Sequence, residues 1–377
     1  MERSLSYIFF VFVLVFSFSL CGCSKRKNTS ISSDSQSPDI ESSDVVAVAT
    51  FCPAGKSVDL EENSERRAAF DIGSGSIKLK IKDVVFLMDN TSYSDIINGS
   101  HHRRVDFQAA LAANSNYIPP NLVEQGIKAL KELKIIAQAL GATKFNGVAT
   151  GAFRKAVNGE EVLQELSNAV KVSFLTLSSD EEAAMAFEAA NTFSKYEPEN
   201  LIVWDIGAST MSMSGLSLEG ELEAYEGDLA SIGLRDDIMK SIQGKLNDKS
   251  TPNPLAGNEA DVAVILVQSE AQRSIPRSLI ERITLKNTIV AGVGPVHSLS
   301  VNRQLNSGES YTVENVEKAL YRNLNLSDEE IGGKFADTDV VNLILVLGFM
   351  RGLGIKEVSP VAVNIADGLI QNENYWR

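Results

Sequence analysis

Two short segments of this chain each end an apolar run on an aspartate and follow it with small, partly hydroxylated residues. They are Phe70-Asp71-Ile72-Gly73-Ser74-Gly75-Ser76-Ile77 and Trp204-Asp205-Ile206-Gly207-Ala208-Ser209-Thr210-Met211. Small residues let a backbone turn sharply and bring its N–H groups against an anion, and an Asp at the strand end can hold a cation. Either segment alone also reads as an ordinary hairpin turn. The pair predicts two hairpins facing each other as a phosphate clamp. Gly73, Ser74, Gly75 and Ser76 form one jaw, Gly207, Ala208, Ser209 and Thr210 the other, and Asp71 and Asp205 stand at their bases.

Three further segments carry charge suited to the same chemistry. Residues 144–150 read as a buried strand ending at Gly151, which delivers Arg154 either to an anion as a clamp or to solvent at a helix start. Ser178-Ser179-Asp180-Glu181-Glu182 precedes an Ala-rich helix, and Ser179 with Glu182 fits the S-x-x-E capping box, a role that needs no function. His101-His102-Arg103-Arg104 is the densest cationic run of the folded part. It is expected in a loop before the first long helix, facing the cleft or simply solvated.

These groups need elements to hold them. After the first hairpin, Ile77, Leu79 and Ile81 alternate with Lys78, Lys80 and Lys82, the pattern of a half-buried strand, and the second hairpin is entered through Leu201, Ile202 and Val203. Behind Pro119-Pro120, Val123, Ile127, Leu130, Leu133, Ala137 and Leu140 give the apolar stripe of a helix starting near Asn121. Each hairpin is followed by mixed strand and helix signals, so the fold expected is a duplicated α/β domain with a cleft between the halves, 67–195 and 196–377. A chain of 377 residues, 44% hydrophobic and 22% charged, has material for two such cores. Its net charge of -14 argues against nucleic-acid binding, which draws on clustered Lys and Arg.

The amino terminus sets the compartment. Residues 5–20 are apolar behind Arg3 and run into Leu20-Cys21-Gly22-Cys23, the anatomy of a signal peptide over 1–22 ending on a lipobox-like tetrad, with acylation at Cys23. An uncleaved anchor is the alternative, given the basic cluster Lys25-Arg26-Lys27. Residues 23–66, rich in Ser, Asp, Glu and Asn, read as a disordered tether. The three cysteines, Cys21, Cys23 and Cys52, have no zinc-ligand spacing.

Taken in order, these pieces resemble the exopolyphosphatase and guanosine pentaphosphate phosphohydrolase family of the actin, Hsp70 and sugar-kinase superfold, over most of residues 67–371. Ala68-Ala69-Phe70-Asp71-Ile72-Gly73-Ser74-Gly75-Ser76 looks like its first phosphate loop. Val148-Ala149-Thr150-Gly151-Ala152-Phe153-Arg154-Lys155-Ala156 resembles its Ala-Thr-x-x-x-Arg-x-Ala segment, and Leu177-Ser178-Ser179-Asp180-Glu181-Glu182-Ala183 its Ser-Gly-x-Glu-Glu-Ala segment. The resemblance implies two actin-like (ribonuclease H-like) domains, a phosphate contact at Arg154, a water-activating base at Glu182 and Mg²⁺ on Asp71 and Asp205. It implies polyphosphate or a phosphorylated guanosine nucleotide as ligand, and leaves a homodimer open. Residues 341–370 resemble the closing helix and strand of the second domain; the extra C-terminal helical domain of longer members is not expected. Ser24 behind the lipidated cysteine implies retention in the outer membrane of the bacterial envelope.

The departures from the family pattern are specific. The second loop, normally Asp-Ile-Gly-Gly-Gly-Ser-x-Glu, carries Ala208 and Ser209 at glycine positions and Ser212 at the acidic one. Gly75 replaces an Asn, and Pro295 in Gly292-Val293-Gly294-Pro295-Val296 removes a backbone N–H from a late glycine turn. Glu182 and Arg154 favour a phosphohydrolase, whereas Ser212 and Pro295 favour a protein that binds phosphate without turnover. A kinase or ATPase of the same superfold is disfavoured by export away from ATP.

Overall fold

The computed structural model describes residues 63–376 except 88–90, 195, 246–249, 306–309 and 334. The expected signal peptide, Cys23 and nearly all of the tether lie outside the described residues. The tether was expected to run to 66, but Ser64 already begins a strand. The extension has a physical cause: Arg66 pairs with Asp83 on the neighbouring strand at 2.6 Å and donates to the Leu140 carbonyl.

Among the described residues, eleven strands form two sheets of five and six. The first holds β1 (Ser64–Ile72), β2 (Ser76–Phe86), β3 (Thr91–Arg104), β4 (Lys144–Ala149) and β5 (Phe174–Thr176) in the order β3-β2-β1-β4-β5. The second holds β6 (Leu201–Ile206), β7 (Met211–Leu216), β8 (Leu222–Gly227), β9 (Ile289–Val293), β10 (Tyr311–Thr312) and β11 (Glu357–Pro360) in the order β10-β11-β9-β6-β7-β8. In both, an antiparallel three-strand meander joins two further strands in parallel, and in the second sheet β10 adds an antiparallel edge strand beside β11. The duplication expected from the two hairpins is therefore one of topology.

Side-chain alternation decides what the sheets present. In β1, Ala68, Phe70 and Ile72 face an outer core under the helices Pro120–Ala139 and Gly159–Val170, while Ala69 faces the opposite way. In β6, Ile202, Trp204 and Ile206 face a second outer core against the helices Gly257–Ser274 and Ala336–Leu353, while Leu201 and Val203 face inward. Counting on by two places Asp71 and Asp205 on the inner faces, each at the last turn of its strand. The inner layer between the sheets is built by the helices Ser179–Phe193 and Ile365–Gln371. Their contact is tight because Gly368 lies against Met185, where a Cβ would stand 2.4 Å from the carbonyl oxygen.

The chain crosses from the first lobe to the second after Phe193, and it crosses back after β11 to place the helix Ile365–Gln371 on β1, β2 and β4. Residues 196–377 are thus not confined to the second lobe. The three lysines of β2 explain the return. They face the inner layer rather than water: Lys78 meets Asp71 at 2.7 Å, and Lys80 and Lys82 lie 3.5 and 3.2 Å from the fully buried Asp367. The apolar helix Ala336–Leu353 is buried along most of its length, and no described helix is long and apolar enough to cross a membrane.

His101-His102-Arg103-Arg104 is strand, not loop. It closes β3 against β2, with Arg103 on Glu132 and Arg104 on Asp106. None of the four lines the cleft described next.

Candidate functional site

The two hairpins close in the same way. The Gly73 N–H donates to the Ser76 carbonyl at 3.0 Å and the Gly207 N–H to the Thr210 carbonyl at 2.9 Å. The tips meet: Ser209 Oγ donates to Ser74 Oγ, and a Cβ on Gly75 would sit 3.2 Å from the Ala208 methyl. Gly73, Gly75 and Gly207 have no left-handed φ, so close approach rather than backbone strain is what favours glycine at Gly75. Gly294 differs, with φ +85° and the position of a Cβ only 2.2 Å from Asp205 Oδ1.

Below the tips lies a cavity of about 70 Å³, lined on one side by Asp71, Gly73, Ser74, Gly75, Ser76 and Lys78. The other side is Asp205, Gly207, Ala208, Thr210, Ser212 and Glu226, with Glu182, Thr150, Pro295 and Ile365 completing the wall. Every loop position read from the sequence lines this space except Ser209, which holds the tip. Lys78, Glu226, Thr150 and Ile365 were not read from the sequence. Lys78 had a signal, since a residue directly across a strand pair from Asp71 must share its face.

Charge is concentrated here under burial. Glu182 is pushed up to about 7, chiefly by loss of water, with Arg154 opposing and Glu226 and Asp205 adding to the rise. Asp205 is pushed up to about 6 by burial, with Lys78 opposing and Asp71 assisting. Burial works against the charge of Lys78, but Asp71, Asp205 and Glu182 outweigh it and raise its pKa. One oxygen of Asp71, Oδ1, is buried with no hydrogen-bond partner.

The capping role expected for Glu182 belongs to its neighbour. Ser178 is the N-cap, its hydroxyl accepts from the Glu181 N–H, and Glu181 accepts in return from the Ser178 N–H. The box sits one residue earlier than the Ser179–Glu182 spacing suggested, which leaves Glu182 free to turn into the cavity. Arg154 does not line the cavity. Its guanidinium donates to Glu182 Oε2 at 2.6 Å, to the Leu177 carbonyl at 3.0 Å and to Glu226 Oε1 at 2.5 Å. It lies behind two carboxylates that do line it.

Among the described residues no group of three or more His, Cys, Asp or Glu is arranged to hold a metal ion. Magnesium seldom needs one, since it usually takes one or two carboxylates and fills its octahedron with phosphate oxygens and water. Asp71, with its unpartnered oxygen, and Asp205 across the cavity fit that kind of site.

Residues 85–219 match the family model of the Ppx/GppA phosphatase family. The structure of an Aquifex aeolicus Ppx/GppA family member superposes with a TM-score of 0.62 at 17% identity, covering 82% of this chain and 98% of that one. Over residues 85–219 the chain is similar to the Ppx/GppA phosphatase family, and it shares the fold of that solved structure. An exopolyphosphatase from Cytophaga hutchinsonii superposes on this chain with a TM-score of 0.62 at 13% identity, covering 82% of it and 97% of the other. A bifunctional 3-dehydroquinate synthase/phosphatase of Fusobacterium nucleatum is 22% identical over 209 residues, and the match spans 54% of this chain and 31% of that protein. The chain therefore covers under a third of that relative's length.

Raised carboxylates make the stability of this chain depend on pH in a definite direction. From about pH 4.5 to 7 the unfolded chain gives up the Glu182 proton while the fold retains it. Stability from this group is therefore complete below about 4.5 and lost as pH rises through about 7. Urea unfolding of the parent and Glu182→Gln should diverge over that window by on the order of 3 kcal/mol, to the disadvantage of the parent. Parallel curves from pH 4 to 8 would contradict the raised carboxyl.

Proposed function

We infer that this chain is a phosphohydrolase that removes the terminal phosphoryl group of a phosphoanhydride chain, polyphosphate or a guanosine polyphosphate. The observation that carries this reading is the convergence of both hairpins, Asp71, Asp205 and Glu182 on one cavity. At about 70 Å³ it is far below the ~300–1,000 Å³ that encloses drug-sized ligands. That is room for a phosphoryl group with its water, and the rest of the substrate stays outside.

Catalysis of such a transfer is mostly positioning and charge stabilisation. Backbone N–H groups of residues 73–76 and 207–210 are placed to receive phosphate oxygens. Glu182, poised near neutrality, takes the proton from the attacking water. Arg154 fixes the Glu182 carboxylate and offsets charge that develops beside it. Asp71 and Asp205 would hold Mg²⁺, which when bound supplies positive charge against the phosphate oxygens.

Purified full-length chain incubated with Mg²⁺ and either polyphosphate or guanosine pentaphosphate should release inorganic phosphate. Binding of both without release would move the reading to a phosphate-binding protein of the same fold. Export to the bacterial envelope on a lipid at Cys23 belongs to the same proposal, supported by the tetrad Leu20-Cys21-Gly22-Cys23 behind an apolar run. Radiolabelled palmitate should enter the parent and fail to enter Cys23→Ser. Label in both would place the lipid elsewhere.

A further inference from the structure

Position 212 lacks the carboxylate that the family pattern leads one to expect, yet the cavity wall at that point is not short of one. In the register of the second sheet, Asp205 lies across from Ser212 and Ser212 across from Glu226, one row over three strands. Residues in such a row share a face, and neighbouring strands are about 4.8 Å apart. A glutamate on β8 therefore projects beside the same spot that a glutamate at 212 would occupy, over a serine too short to block it. Glu226 lines the cavity and is largely buried. One oxygen takes Arg154 Nη2 at 2.5 Å, and the other, Oε2, is buried with no hydrogen-bond partner.

The partner matters as much as the place. Arg154 divides its guanidinium between Glu182 and Glu226. With Glu226 absent, the whole cation would serve Glu182, and a carboxylate fully committed to an arginine is a poor acceptor for the proton of water. We propose that Glu226 is the carboxylate this site lacks at position 212: it shares Arg154 with Glu182 and so keeps Glu182 free to act on water. Glu226 is a positioning residue, since it works through Arg154. The groups facing Glu182 are Arg154 from the helix Gly151–Lys155, Glu226 from β8 and Asp205 from β6, and Lys78 from β2 feels its charge. Of these, Arg154 is the one Glu226 holds directly. The inference rests on the hydrolase reading for its purpose, but its test does not need turnover.

The midpoint of Glu182 ionisation can be followed on the full chain as the pH-dependent difference in unfolding between each background and the same background carrying Glu182→Gln. In the parent the difference should stop growing near pH 7, the break that marks the folded-state ionisation. In Glu226→Gln that break should move down by about one pH unit, and in the exchanged pair Ser212→Glu with Glu226→Ser it should return toward the parent value. A break that does not move in Glu226→Gln, or that is missing from the parent, overturns the proposal. So does an exchanged pair that behaves as Glu226→Gln, because the carboxylate would then not be transferable to 212. Where phosphate release is measurable, Glu226→Gln should lower it roughly 10-fold at neutral pH and the exchanged pair should recover most of that loss. Loss of the ionisation shift with phosphate release unaffected also overturns it, whereas absence of release in the parent bears only on the hydrolase reading.

Discussion

Replacing Glu182 by Gln should lower phosphate release by on the order of 10²-fold or more while the protein stays folded. Two features of the site separate this outcome from a structural loss. The helix start is capped by Ser178 and Glu181, so the substitution removes no cap. Arg154 keeps Glu226 and the Leu177 carbonyl as partners, and an amide oxygen at 182 can still accept from it. What the amide cannot do is take a proton from water at neutral pH. The parent rate should rise with pH up to about 7 and level off as Glu182 ionises, and the residual rate of the variant should lack that rise. Equal phosphate release by parent and variant would remove Glu182 from the chemistry.

The second large effect is on stability. Lys78→Met should destabilise the fold by about 3–5 kcal/mol, the range seen when one partner of a buried ion pair is removed. Asp71 is only 1% exposed and its Oδ1 already lacks a hydrogen-bond partner, so without Lys78 its carboxylate is left buried without its counter-charge. The pair Asp71→Asn with Lys78→Met should recover much of the loss, because no charge is then left stranded. Urea midpoints of the parent, the two single variants and the double variant give the coupling directly. A single Lys78→Met within 1 kcal/mol of the parent would mean that Asp71 finds compensation elsewhere.

The parts of this site that sequence made visible are those carried by local pattern. An aspartate two residues beyond a buried strand position has its face set by alternation, and the small residues after it announce the turn; this placed Asp71, Asp205 and both loops in one cavity. Contacts between distant strands leave no such mark. Glu226 sits in Leu222–Gly227, a strand without an apolar alternation to give it away, and its meaning comes from lying across from Ser212. The cationic run 101–104 reads as a loop because its own residues are all charged or polar, although it lies on an edge strand paired with Ile77 and Leu79 among others. For Glu182 the pattern S-x-x-E fitted two registers a residue apart, and only the hydrogen bonds of Ser178 choose between them. The sequence brings Arg154 toward the site, but the reach of a long side chain toward two carboxylates is not a property of its own segment.

The double passage of the chain between its lobes restricts how the cavity can be reached. Two bodies joined by one covalent thread can swivel and twist about it freely. Here a second thread, between β11 and the helix Ile365–Gln371, runs back, and two attachment points define a line, as the pins of a door do. Rotation about that line strains neither thread. The hydroxyl pair Ser74 and Ser209 then acts as the latch between the two hairpin tips, and parting it opens the cavity beneath them.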